Sequence, residues 1–220
     1  MKSGGRFGGI PGKLMLFAFT AAMLWCGVPG LCHGAAADAP YYAPKKPIDL
    51  GGRSVQFVFT DLRGEYTQLA CSDAAPAGGT EFDDKDGFDF FKNYLLRMAK
   101  ESSASIEHSS DNVIQVQLEV LSPRIFGFLF LRVHGLTQFS VKSKSLNNRY
   151  CSDMKDGDPD SPLSLTSVGT RKSAMRTMVS GSTTKTVEAF LADLSKSLVE
   201  QPPHGEQENP EVKTPDQPSR

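Results

Sequence analysis

Asp156, Asp158 and Asp160 stand at alternate positions, and their spacing comes nearest to a chemical site in this chain. Calcium takes about six to eight oxygen ligands, and Asp-x-Asp-x-Asp is how a binding loop begins to supply them. Such a loop then needs a glycine for its sharp turn, and Ser161 stands there instead. A second acidic cluster, Asp83, Asp84, Asp86 and Asp89, fits no better, because a register with its turn at Gly87 puts Phe82 at the first ligand position. Solvated loop charge and helix capping account for both clusters. No cofactor is expected, and calcium at Asp156, Asp158 and Asp160 stays as the small-ligand alternative.

Catalytic patterns are missing. There is no His-Glu-x-x-His, no His-Cys cluster and no Gly-x-Ser-x-Gly elbow. His134 precedes Gly135 and is expected to be a satisfied sheet histidine rather than a ligand. Asp61 and His134 with one of many serines could be assembled into an envelope hydrolase on paper, but no spacing singles them out. A non-enzymatic protein is expected. Asp61 and Arg63 are more specific. A carboxylate and a guanidinium two residues apart at a strand end form a local ion pair, or they contact a partner.

Compartment follows from the first 37 residues. Lys2, Arg6 and Lys13 make a basic start, Leu14 to Trp25 is apolar, and Gly27, Pro29 and Gly30 interrupt any helix before Ala35-Ala36-Ala37. This is the layout of a secretory signal peptide, and its apolar run is short against a bilayer span of about 20 residues. Residues 1–37 are read as a cleaved leader, with an uncleaved anchor as the alternative. Lipidation at Cys32 would want a small residue before it, and Leu31 is there. Membrane association is therefore expected only if the leader is kept or Cys32 is lipidated. The formal net charge is −1. Removing a leader with three basic residues and no acid makes the remainder three charges more negative. That balance, with scattered lysines and arginines, gives no footprint for nucleic acid.

Two cysteines, Cys71 and Cys151, remain beyond the leader. Export into an oxidising compartment predicts one disulfide between them, periplasmic or extracellular.

The elements that would hold these residues can be read from periodicity. Residues 38–54 are proline-rich and aperiodic, a linker; 55–200 form one domain; 201–220 are polar, proline-rich and expected to be disordered. Val55 to Leu62 is a strand with Val55, Phe57 and Phe59 on one face and Val58 opposite, so both faces are expected to be covered. A helix follows from about Gly87 to Lys100, capped by Asp86, with Phe88, Phe91, Leu95 and Met98 in one stripe. In the next strand Ile114, Val116, Leu118 and Val120 share one face. In its successor Leu129, Leu131, Val133, Thr137, Phe139 and Val141 keep one parity, while Gln138, Ser140, Lys142 and Lys144 return to water. Phe126, Phe128 and Phe130 lie in a run apolar on both parities, covered on both sides or offered to a partner. Residues 169–179 are read as a last strand through Met175, Thr177 and Val179, with the start of a helix over Arg171 to Met178 as the alternative. A final helix, capped by Ser182 or Thr183, carries Val187, Phe190, Leu191, Leu194 and Leu198 on one face.

The order implies an α+β two-layer sandwich: a mostly antiparallel sheet of about four strands with two helices on one face. From Val55 to Leu198 the pattern resembles small bacterial envelope proteins of the YajG type, mostly lipoproteins of unassigned activity. The resemblance rests on the strand ending Asp61-Leu62-Arg63, the helix around Phe90 to Met98, the strand Val113 to Leu121, the long strand to Lys144 and the closing helix from Lys185 to Leu198. It implies an accessory or binding protein whose partner is an envelope protein or a cell-wall component. The acidic spacing carries one prediction: millimolar calcium should leave the melting temperature unchanged. A rise of several degrees would mark a bound ion.

Overall fold

The computed structural model describes residues 39–78, 80–126, 132–163 and 170–199. Phe128, Phe130 and the stretches expected to be a leader and a disordered tail lie outside them. The described elements are β1 (Ser54–Asp61), α1 (Lys85–Glu101), β2 (Ser105–Ile106), β3 (Val113–Phe126), β4 (Arg132–Lys142), β5 (Asn147–Lys155) and α2 (Arg171–Val199). The sheet has five strands in the order β2-β1-β3-β4-β5. β3 pairs antiparallel with β4, and β4 with β5, over long registers. β1, however, runs parallel to both β2 and β3. The sheet is therefore mixed, with one strand more than expected. The parallel pairs follow from α1, because a helix between two strands carries the chain back to the end where the first began.

Both helices cover one sheet face. From the sheet, Val55, Ile114, Val116, Leu118, Phe139 and Val141 face Phe91, Leu95 and Met98 of α1 and Val187, Phe190 and Leu194 of α2. Phe139 lies at the centre, 5.2 Å from the Phe91 ring and 5.8 Å from the Phe190 ring. Each fully buried side chain of this size stabilises the fold by about 2–3 kcal/mol.

Three local expectations change. First, α1 begins at Lys85, and Asp84 is its cap, accepting from the Gly87 amide at 3.0 Å. Asp86 sits instead in the first turn, where its charge meets the positive end of the helix dipole. Second, β3 carries a bulge between Leu118 and Val120. Two residues there oppose one on β4, so the parity flips. Val120 leaves the face of Ile114, Val116 and Leu118 and packs with Leu69, Ala74 and Leu136 on the outer face, while Leu121 takes its place over the helices. Third, residues 171–179 are helix, not strand. The Thr170 hydroxyl accepts from the Ser173 amide at 3.1 Å and starts α2, with Ala174, Met175 and Met178 turned toward Val133 and Met154. The alternation of Met175, Thr177 and Val179 is overridden by that packing.

Ser182 and Thr183 are consequently inside α2. Thr183, Thr184 and Thr186 donate to the carbonyls of Val179, Ser180 and Ser182, at 2.8, 2.9 and 2.7 Å. Back-bonding of this kind satisfies buried hydroxyls without leaving the helix. It lets α2 lie very close to β4. A Cβ on Gly135 would sit 2.0 Å from the Met178 carbonyl oxygen.

The outer face is only partly covered. Val58 is 42% exposed and Val113 38%, so the face opposite Phe57 and Phe59 meets water rather than a second layer. Gln138, by contrast, is buried on that face and does not return to water. Gly135→Ala is expected to lower the unfolding free energy by about 3 kcal/mol, because backbone must move to admit the methyl group. Gly157→Ala, which would meet only the Arg132 guanidinium at 3.3 Å, should stay near the parent. Urea denaturation of the two variants checks this; equal midpoints would refute the close approach.

Candidate functional site

A groove of about 750 Å³ runs along α2. Its floor is one stripe of the helix, with Gly181, Thr184, Ala189 and Ala192. One wall is the segment Tyr41 to Lys46, and the other comprises Met154 and Pro159 to Pro162. The lining is mostly apolar.

Each wall has a specific cause. The aperiodic segment expected to be a linker is, from Ala39 on, laid across both helices. Tyr41 packs with its ring tilted 4.8 Å from the Tyr94 ring, lies under the Arg97 guanidinium at 3.6 Å, and donates its hydroxyl to Glu101. Burial, followed by that carboxylate, pushes the Tyr41 phenol well above its ordinary range. The Tyr42 amide donates to the Tyr94 hydroxyl at 2.8 Å, which in turn pairs with Thr184 at 2.7 Å, so one phenol links the segment to both helices. The Glu188 carboxylate accepts from the amides of Lys45 and Lys46 at 3.3 and 3.0 Å. Leu50 closes the segment in the core, its amide bonded to the Ser102 carbonyl at 2.8 Å. The opposite wall is brought in by Gly181. A Cβ there would stand 2.7 Å from Pro162 and 2.8 Å from the Met154 sulfur.

Charges gather at the rim. Lys185 pairs with Asp160 at 2.9 Å, and Lys45 donates to the Asp160 carbonyl at 3.1 Å. The bond from Lys185 holds the Asp160 carboxyl below the ordinary carboxylate range. Sequence reasoning missed this groove. Its one local signal was the glycine and alanine spacing of 181, 189 and 192, which reads as a stripe only once α2 is known to include Gly181.

The predicted site residues fall elsewhere. Cys71 and Cys151 form a disulfide with Cα atoms 5.8 Å apart, spanning 80 residues. Closing a loop that long stabilises by about 4 kcal/mol in the chain-entropy account. The bridge fastens the loop around Leu69 and Ala74 over the outer face. Beneath it Gln138 accepts from the Ala70 amide at 2.6 Å and donates to Glu119 at 2.7 Å, and Arg149 pairs with the same carboxylate at 3.0 Å.

Beside this, His134 Nδ1 lies 2.8 Å from Asp153, and Ser72 donates to the other oxygen of Asp153 at 2.6 Å. His134 thus partners Asp153 and not Asp61. The serine donates to the carboxylate, whereas an activated nucleophile must donate to the imidazole. Phe126 is 42% exposed, edge-on to the His134 ring at 4.7 Å. Asp156, Asp158 and Asp160 turn to separate partners: Arg132, the Lys155 amide and Lys185. No three acidic, histidine or cysteine side chains among the described residues converge on a metal position.

Asp61 and Arg63 work inside the fold. Arg63 donates to both Asp61 oxygens at 2.8 and 2.7 Å, and also to the carbonyls of Phe82 and Asp84 at the start of α1. Burial raises the Asp61 carboxyl, but the Arg63 bonds and charge outweigh it, and the net direction is down. A folded-state value below the unfolded one means stability present above the unfolded value near pH 3.9 and lost as pH falls through the folded value. Asp61→Asn should therefore destabilise by about 1 kcal/mol near neutral pH. That difference from the parent should close in acid. Urea midpoints at the two pH values test it, and a gap of equal size in acid would remove the ion pair from the account.

No protein-family model matches the chain, and no curated protein matches it. Among solved structures it is similar to a Xanthomonas campestris protein of the DUF330 family, at 7% identity over 74% of this chain and 95% of that one, with a TM-score of 0.47. It is also similar to a minor lipoprotein from Acinetobacter baumannii, at 6% identity over 65% and 90%, TM-score 0.36. A third is the rare lipoprotein B from Shewanella oneidensis, at 11% identity over 66% and 91%, TM-score 0.26. No residue is carried over at these identities. Among the described residues no helix is long and apolar enough to cross a membrane.

Proposed function

We propose that this chain is an exported, non-enzymatic binding protein of the bacterial cell envelope, and that the groove along α2 is where it binds. The observation that carries the reading is the groove itself. Its volume of about 750 Å³ lies within the range of small-molecule sites, roughly 300–1,000 Å³, and such sites are mostly apolar with a few polar groups at fixed places. Its walls are tied down by Glu188, Tyr94 and the Gly181 contact, so the shape exists before a ligand arrives. Export is supported by the basic-then-apolar leader and by the Cys71–Cys151 disulfide, which suits an oxidising compartment. A binding role is also supported by the way Ser72, His134 and Asp153 are arranged, with no nucleophile set against a base.

A second reading keeps an envelope protein or cell-wall component as partner, docked on the outer sheet face. The exposure of Phe126 favours it, together with the uncovered Val58 and Val113.

Recovery of the full chain from its native cells, followed by native mass spectrometry, tests the first reading. The expected species starts near residue 38, keeps its disulfide, and carries an added mass that Ala189→Trp loses. An unprocessed chain with Cys71 and Cys151 both reduced would end the export proposal. Identical spectra for parent and variant would end the groove proposal.

A further inference from the structure

The charges around the groove are not balanced, and the imbalance points to the class of ligand. Two acids stand at the rim, and both are already satisfied within the protein. The Glu188 carboxylate accepts from two backbone amides. The Asp160 carboxylate is paired with Lys185, and its carbonyl takes the Lys45 ammonium. Three lysines face these two acids. Lys46 is exposed, and among the described residues its ammonium has no partner. Its stem leaves from the wall, so the charge can swing over the groove mouth while its methylenes stay on apolar surface.

Below that charge the floor includes small apolar side chains. Ala189 and Ala192 lie about one turn apart on the same stripe of α2, and Met154 and Pro162 line the same groove. A long apolar body could lie along the helix there. An acidic group at its end would meet Lys46, with Lys45 beside it, and would displace no existing ion pair. A cationic ligand would have to compete for acids already engaged. A neutral one would leave the Lys46 charge unused.

From this geometry we infer that the groove takes a long-chain carboxylate, its chain against Ala189 and Ala192 and its head at Lys46. The inference rests on the groove being the binding site, and it adds the chemistry of the ligand.

Fluorescence titration of the full mature protein with dansylaminoundecanoic acid tests it, with the methyl ester of the same probe as the uncharged comparator. The acid should bind saturably, and the ester about three- to five-fold more weakly, as an exposed ion contact provides. Lys46→Glu should weaken the acid by at least that factor and leave the ester unchanged. Ala189→Trp fills the floor from an exposed position and should weaken both probes at least ten-fold. Ala192→Trp serves if the first variant lowers the melting temperature. Equal binding of acid and ester, both lost on filling the floor, overturns the carboxylate assignment and leaves the groove as a site. Acid binding that survives both tryptophans in folded protein overturns the groove as well. Absence of saturable binding overturns this inference, with the native-mass measurement still deciding the groove.

Discussion

The closeness of α2 to β4 is the constraint on which most of this structure depends. A helix packs on a sheet at a distance set by the side chains between them. At Gly135 there is no side chain, and the Met178 carbonyl occupies the space where a Cβ would be. The adjoining stretch of α2, Ser180 to Thr184, is made of small residues; the Thr183 and Thr184 hydroxyls are satisfied within the helix and that of Ser182 by the Ser152 carbonyl of β5. That makes a polar stretch compatible with full burial. It also seats the rest of α2, so that Phe190 meets Phe139 and Tyr150 over the sheet centre.

A second constraint acts on the other face. The bulge in β3 turns both Glu119 and Val120 away from the helices. One apolar residue and one acid then need cover on a face that would otherwise meet solvent. The loop held by Cys71–Cys151 provides it, with Leu69 and Ala74 over Val120 and with Gln138 and Arg149 around Glu119. Breaking one partner of such a buried charge would leave it uncompensated, which is far worse than never having the pair. The disulfide and the bulge are therefore two parts of one arrangement. Ser72, Asp153 and His134, which have the look of chemistry, lie in this cover, with Ser72 donating to Asp153.

The groove is a consequence of the first constraint. Because α2 lies low over β4 and β5, the turn after β5 reaches over it at Gly181, and the segment before β1 can bridge α1 and α2 on the outside. Lys45 bridges the two at the rim through the Asp160 carbonyl, and the space between them is the candidate site. Tyr94 joins the parts, since its hydroxyl contacts both Tyr42 and Thr184. Here the contacts that stabilise the fold also shape the groove.

Several features could be read without coordinates because their causes are local or simply counted. Alternation in Ile114 to Leu118, the stripe Phe91-Leu95-Met98 and the face from Val187 to Leu198 each report one periodic element. Cys71 and Cys151, the two cysteines within the domain, leave one pairing. Asp61 and Arg63 are close enough in sequence to find each other. What only the tertiary structure decided depends on partners far apart in the chain. The first turns of α2 have β-like alternation and become helix because Met178 has Val133 and Met154 to pack on. Val120 changes face because a bulge has no signature in hydrophobic spacing. The segment around Tyr41 has no period at all, and its place is set by Tyr94, Arg97 and Glu188, each more than 50 residues away. The groove is bounded by three such segments, so no single stretch of sequence could contain its description.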